Sequence, residues 1–497
     1  MPNRVLTHYP PLAARTRALA VVVLVTITLY YALYVKGSVA PQIIDEFDMS
    51  LAFYVSVSII GNLLGAFAAL ASGVTDRLGR TRLVMLGTGA AAALTLVGIP
   101  NAWSKQTFLV LDVAQTAILG AVLVATPALI RDFAPQLNRA TAMCTFNLGP
   151  ILGSLMVSSI ASHTLDAHPA WRFQFYVCGA VVTAAFALAS VGLREPSPEL
   201  RAQLVVSGRD PDAVDAQAEA LVNRPAARGD WRQLMTPRLI IPVIAISLFL
   251  SFYFTRLAYW VIYFITTYGF TPAEANGISN WWWATSAITL TWVGLLSDRL
   301  GVRKPLMLVG AVVSASALAV FGSRAGDMAT TYDDFVLVIV PAALGGVMCF
   351  GMWLTAFSEA IERINPALVA TGMGIYGWIV RLTAASALVS VLFVVDAADV
   401  LVDHGARVQE LSTTYAAQIE VIQHGNAAES QAAQDEIPEA DLDYLVEYLP
   451  QVLEAAAEGP GQWQEWWRIC LVLQLGFIPA IWLLPGPWRP RRRRVGV

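Results

Sequence analysis

Twelve apolar runs, each long enough to cross a lipid bilayer, leave this chain few ways to fold. A hydrocarbon core of about 30 Å takes roughly 20 residues of helix. Within that core every backbone amide and carbonyl must be satisfied by the protein itself, which leaves helices or closed barrels. The runs fall near residues 17–39, 51–72, 83–101, 107–130, 140–162 and 171–193, then near 239–265, 274–297, 304–322, 334–357, 369–395 and 466–487. They predict an all-α membrane protein of twelve transmembrane helices, six and six. Only 14% of the residues are charged, against about a quarter in soluble domains.

The charges sort by side. Arg77, Arg80, Arg82, Arg131, Arg139, Arg299, Arg303, Lys304, Arg363 and Arg491 to Arg494 all fall on the side that holds both termini. The positive-inside rule makes that side cytoplasmic. Residues 1–193 are then an N-terminal half, 194–238 a cytoplasmic linker with Pro196, Pro198 and Pro225, and 239–490 a C-terminal half. The latter includes an acidic extracytoplasmic loop at 396–465. That loop holds fifteen acidic residues and one basic one, Arg407, so a chain of net −4 divides into −14 there and +10 elsewhere. After Pro438, Leu442, Leu445, Val446, Leu449, Val452 and Leu453 repeat at helical spacing and predict an amphipathic helix. A solvated cap resting on the outer face is the expectation for the loop, with gating or partner binding as the alternative. The basic flank of the first run and Ser38-Val39-Ala40 resemble a cleavable leader, but Pro41 and the eleven later runs predict a retained helix.

One short motif occurs twice, with Asp76 and Asp298 222 residues apart. The first copy is Ser72-Gly73-Val74-Thr75-Asp76-Arg77-Leu78-Gly79-Arg80-Thr81-Arg82 and the second Gly294-Leu295-Leu296-Ser297-Asp298-Arg299-Leu300-Gly301-Val302-Arg303-Lys304. Each joins two apolar runs, where only a tight turn fits and Gly79 and Gly301 supply it. The pair resembles the loop between the second and third helices of the major facilitator superfamily, repeated in both halves. Ser72 and Val302 depart from that pattern. Trp171-Arg172 ahead of the sixth run is similar to the family too. The resemblance implies two pseudo-symmetric six-helix halves and secondary transport. It also implies a gating role in which Asp76 and Asp298 accept bonds from Arg77, Arg80 and Arg299 and release them as access alternates.

Charges deep in apolar runs are costly and need a partner or a cavity. Arg381 lies mid-way along the eleventh run, on a small face with Gly374, Gly377, Trp378 and Ala385. Arg256 lies deep in the seventh among Phe252, Tyr253, Tyr259, Trp260 and Tyr263. A guanidinium fork matches a carboxylate, and the rings suit a flat organic body behind it. Trp282, Thr285, Ser286, Thr289 and Trp292 form a stripe on the eighth run that suits either a cavity wall or helix–helix contact. In the first half, Asp112 shares a stripe with Gln115 and Thr116 and is the candidate proton carrier, with a structural role as the alternative. Lys36, near the outer end of the first run, and Tyr30 and Tyr34, which share a face that excludes it, are further candidate substrate contacts, with snorkelling as the alternative for Lys36. The fragment Gly149-Pro150-Ile151-Leu152-Gly153 resembles part of a drug–proton antiporter motif, and close helix packing would equally explain it.

These residues point to a monomeric carrier in the cell membrane that moves a small organic anion by alternating access, with a proton as coupling ion. The alternative is a drug or metabolite exporter exchanging with protons, and a transport-dead sensor is more remote. No nucleotide loop, metal-ligand spacing or nucleophile–base arrangement occurs, so no enzyme activity, cofactor, metal or nucleic-acid partner is expected.

Overall fold

Each of the twelve runs carries helix in the computed structural model, which describes residues 5–6, 10–70, 80–133, 139–196, 231–364, 368–424 and 427–489. The first half comprises α1 (Leu12–Tyr34), α2 (Ala40–Glu46), α3 (Leu51–Leu70), α4 (Arg80–Ala93), α5 (Lys105–Phe133), α6 (Arg139–Thr164) and α7 (Trp171–Gly192). The second comprises α8 (Pro237–Phe249), α9 (Ser251–Tyr268), α10 (Pro272–Leu300), α11 (Lys304–Ser323), α12 (Tyr332–Ile364) and α13 (Val369–Val394). Four short helices follow, α14 (Ala397–Asp403), α15 (Gly405–Thr414), α16 (Ala416–His424) and α17 (Ala427–Asp435), and then the long α18 (Glu439–Ala480). Nine described segments are long and apolar enough to cross a membrane. The helix α10 is not among them, because Asn276, Asn280 and its hydroxyl residues dilute its apolar content.

Those polar residues have partners in the other half. Ser159 of α6 donates to Asn280 Oδ1 at 3.0 Å, and Asn280 Nδ2 donates to Ser162 Oγ at 2.9 Å. Asn276 Nδ2 donates to the Ser38 carbonyl at 3.1 Å. A Cβ on Gly37 would lie 3.1 Å from the Leu257 carbonyl of α9. All these contacts lie at the end of the bundle where the acidic segment sits (the cap end), so the halves are bonded together there.

Three backbone irregularities shape the interior. The α-helix of α1 tightens into a 3₁₀ turn at Val35–Val39, which rotates Lys36 away from its α-helical heading. A break at Leu250 separates α8 from α9, one turn before Tyr253. A π-turn at Leu94–Gly98 ends α4, and Gly179 of α7 fits beside it, where a Cβ would sit 2.6 Å from Leu96 Cα.

Gly149 and Gly153 are explained by packing. A Cβ on Gly153 would meet the Ile27 carbonyl at 2.7 Å and the Tyr31 amide nitrogen at 2.9 Å, and one on Gly149 would meet Thr26 Cγ2 at 2.6 Å. Backbone cannot move aside as a side chain can, so α1 and α6 touch only because these positions are glycine. Gly153→Ala should therefore cost about 1–3 kcal/mol, as other overpacked sites do. Thermal unfolding in detergent checks it, and an unchanged midpoint would mean that α1 shifts freely.

The helix expected after Pro438 exists but is continuous with the last membrane helix, through Pro450 and Pro460. Leu445 is buried against Val408 and Leu411, with Leu449 and Val452 beside them, whereas Val446 and Leu453 of the expected stripe are exposed.

Candidate functional site

Arg256 and Arg381 converge from α9 and α13 on tyrosines of α1. Arg256 is 3% exposed, with Trp282 at 4.4 Å and Trp283 at 4.3 Å from its Cζ, and Trp260 and Tyr253 at 5.6 and 5.9 Å. Cation–π contacts with four rings thus surround the guanidinium. Its edge is different: Nε and Nη2 are buried with no hydrogen-bond partner among the described residues. Arg381 is half-buried, and its Nη1 likewise lacks a partner there. Among the described residues neither arginine forms an ion pair.

Tyr34 connects the two. It lies within electrostatic reach of both arginines and of the Tyr253 hydroxyl. Tyr30 stacks on Tyr34 with centroids 5.9 Å apart and faces Arg381. Tyr376, five residues before Arg381 on α13, faces Tyr30 and Tyr253. Four phenols and two guanidiniums, from helices of both halves, therefore share one region.

Several expected residues have other occupations. Tyr259 turns away from this region: its hydroxyl donates to the Leu388 carbonyl at 3.0 Å and its ring meets Trp463. Trp260 touches Arg256 but lies flat on Phe321, at 5.8 Å and 10°, as part of the second half's aromatic core. Ser286 donates to its own helix at the Trp282 carbonyl, 2.7 Å away, so its hydroxyl is engaged. Trp292 is 55% exposed and faces outward rather than bracketing a cavity. Trp283 and Tyr376 are the additions. Trp283 sits in a run of three tryptophans, a visible signal, whereas Tyr376 lies off the small-residue face of the eleventh run and packs on Phe350, Trp353 and Phe357.

Lys36 does not snorkel. Its Nζ lies 2.5 Å from Asp112 Oδ2, and both side chains are largely buried. Gln115 cannot solvate Asp112 as its stripe suggests, because it donates to the Ala32 carbonyl at 2.9 Å and accepts from Thr95 at 3.1 Å. Asp112 is thus a charge balanced by one lysine from a neighbouring helix.

The repeated motif is described only in its second copy. Asp76, Arg77 and Gly79 lie outside the described residues, and Arg80 opens α4. Gly301 adopts the left-handed conformation (φ 65°) that ends α10, as a tight turn requires. Asp298 pairs with Arg303 at 2.8 Å, whereas Arg299, the expected neighbour, is exposed. Arg303 also donates to Ser297 Oγ and reaches Glu359 of α12 at 3.3 Å. This charge cluster ties together α10, its turn and α12, all within the second half.

The acidic segment does more than rest on the bundle. Asp403 Oδ1 accepts from the Leu51 amide at 3.1 Å and Asp399 Oδ1 from the Ala52 amide at 3.3 Å, capping α3 of the first half. Burial, the charge of Asp399 and that of Asp48 push the Asp403 carboxyl up to about 6, although the Leu51 amide opposes the rise. Released from α3, it would titrate near the ordinary value of 3.8. Between these values the docked state binds more protons, so docking is strengthened as pH falls through 6 and weakened as it rises. Hydrogen exchange at the Leu51 and Ala52 amides, corrected for intrinsic rates, should accelerate as pH rises from about 4 to about 6 and level off above that. Asp403→Asn should abolish that step, and a step that survives would assign it to another group.

Among the described residues no three His, Cys, Asp or Glu side chains gather as a metal site. Residues 22–388 match the family model of the Major Facilitator Superfamily. The chain is 25% identical over 364 residues to a gallate transporter of Pseudomonas putida, covering 68% of this chain and 75% of that protein. It is 28% identical over 132 residues to a cis,cis-muconate transport protein of Acinetobacter baylyi, covering 27% of this chain and 30% of that one. In structure it is similar to a bacterial homologue of the human lysosomal transporter Spinster, captured inward-facing and unoccupied. That match has a TM-score of 0.62 at 16% identity and covers 95% of this chain and 98% of the other. A D-xylose–proton symporter gives 0.54 at 15% identity, with 75% and 96% covered.

Proposed function

The chain belongs to the major facilitator superfamily and is a multi-pass membrane transporter, not an enzyme; on that premise we propose that it carries a small organic carboxylate by alternating access, in symport with a proton. The observation that carries this reading is the unpartnered edge of Arg256. A buried cation without a counter-charge is unstable in a membrane interior, and a carboxylate entering between the halves supplies that charge. Four nearby phenols suit a flat, hydroxyl-tolerant body. The gallate and cis,cis-muconate carriers support the same substrate class.

We assign the proton to Asp112. Protonation there releases Lys36, so one event changes the bonding between α1 and α5. The boundary between halves is placed at 194–238, with 396–465 as an insertion in the second half. Both termini are assigned to the cytoplasm of the cell membrane by the arginine distribution, and the protein is taken to act as a monomer. On this assignment the cap end, where the halves are bonded, is the outer side, and solute enters or leaves from the cytoplasm in the present conformation.

The exporter reading rests on the Gly149–Gly153 fragment and the aromatic rings; packing against α1 accounts for the two glycines, and two guanidiniums without a counter-charge among the described residues repel a cation. Uptake of labelled carboxylates into proteoliposomes, with and without an inward proton gradient, tests the proposal. Gradient-driven accumulation of a carboxylate is expected. Transport of organic cations in its place would overturn it.

A further inference from the structure

Resting on the carboxylate site just assigned, we propose that the preferred solute is a planar dianion, one carboxylate taken by Arg256 and the other by Arg381. The argument begins with which donors are free. Nε and Nη2 form one edge of a guanidinium, and their two N–H bonds run parallel, the geometry that grips a carboxylate with two hydrogen bonds. At Arg256 both atoms of that edge are buried and unpartnered among the described residues. The Trp282 and Trp283 rings lie 4.4 and 4.3 Å from the Arg256 Cζ and hold the guanidinium in place before any solute arrives. Arg381 adds a second donor unpartnered among the described residues, Nη1, near the same phenols.

The charge count then decides the class. The groups that perturb Arg256 and Arg381 electrostatically are tyrosines of α1 and α9, with no carboxylate among them. Lys36 and Asp112, the other buried charges between α1 and α5, neutralise each other. Among the described residues the region therefore carries two uncompensated positive charges. A monoanion leaves one of them buried and unpaired, whereas a dianion satisfies both. A flat body suits the site, because the stacked Tyr30 and Tyr34 rings, with Tyr253 and Tyr376, gather around the two arginines.

The test compares probes of matched body and different charge on the purified protein: terephthalate against benzoate, and cis,cis-muconate against 2,4-hexadienoate. Binding is read by quenching of tryptophan fluorescence and by calorimetry at pH 7. We expect each dianion to bind at least roughly 30-fold more tightly than its monoanion, the scale on which one desolvated charge pair is felt. Arg256→Gln and Arg381→Gln should each bring the ratio close to one. Arg256→Lys, which keeps the charge and loses the fork, should weaken dianion binding while retaining some preference. Size-exclusion profile and thermal midpoint establish that the variants are folded.

Equal affinity for mono- and dianions, with both still dependent on the arginines, would overturn the dianion assignment and leave the carboxylate site standing. Binding of neither, or binding indifferent to both arginines, would overturn the site as well.

Discussion

Arg381→Ala should abolish carboxylate uptake, by roughly 100-fold or more, without harming the fold. Losing one side of a desolvated charge-assisted contact costs about 2–5 kcal/mol of binding, which is tens- to thousands-fold in affinity. Stability should respond in the other direction. Arg381 Nη1 has no partner among the described residues, so removing the guanidinium deletes a buried donor that the empty protein cannot satisfy. Its thermal midpoint should hold or rise, as is common where a binding site is strained for function. An arginine engaged in structure would show the reverse, loss of stability first and of uptake as a consequence. Arg381→Lys should keep weak uptake, since a point charge replaces a planar fork. Uptake close to wild type in the alanine variant would remove Arg381 from the site.

Breaking the Lys36–Asp112 pair should have the opposite signature. Asp112→Leu strands a buried ammonium and should cost about 3–5 kcal/mol of stability. Lys36→Met combined with Asp112→Leu removes both charges and should recover most of that loss. If Asp112 carries the proton, the double variant still exchanges labelled for unlabelled solute, because exchange needs only the loaded carrier to reorient. Accumulation driven by a pH gradient disappears, because net uptake requires the proton to be taken up and released. Normal accumulation by the double variant would place the proton on another group. A double variant no more stable than Asp112→Leu would mean that the two charges are not energetically coupled.

The contrast between these two sites marks what can be read from a linear sequence. Run length, turn glycines and charge distribution locate helices, so the twelve segments, the turn at Gly301 and the helix start after Pro438 were all legible. Depth within a run is equally visible, and it singled out Arg256, Arg381 and Asp112, but not Lys36, which lies near the outer end of its run. What the sequence does not carry is the rotation of one helix against its neighbour. Lys36 reaches Asp112 only because α1 tightens into a 3₁₀ turn after Tyr34. Tyr259 shares a helical face with Arg256 at one residue's resolution, yet a modest rotation of α9 gives its hydroxyl to α13. Arg303 and Glu359 lie 56 residues apart, and nothing local pairs them. Trp283 was hidden in plain view, because a run of three tryptophans does not say which ring points inward.

The 42-residue α18 has a mechanical consequence. Residues 439–465, 27 in all, precede its membrane portion, and at 1.5 Å per residue they form a rod about 40 Å long. Such a rod converts tilt into travel: ten degrees of rocking in the second half would sweep its tip by about 7 Å. A fluorophore near Glu439 would therefore follow the transport cycle from outside the bilayer, amplified by geometry and without touching the solute path.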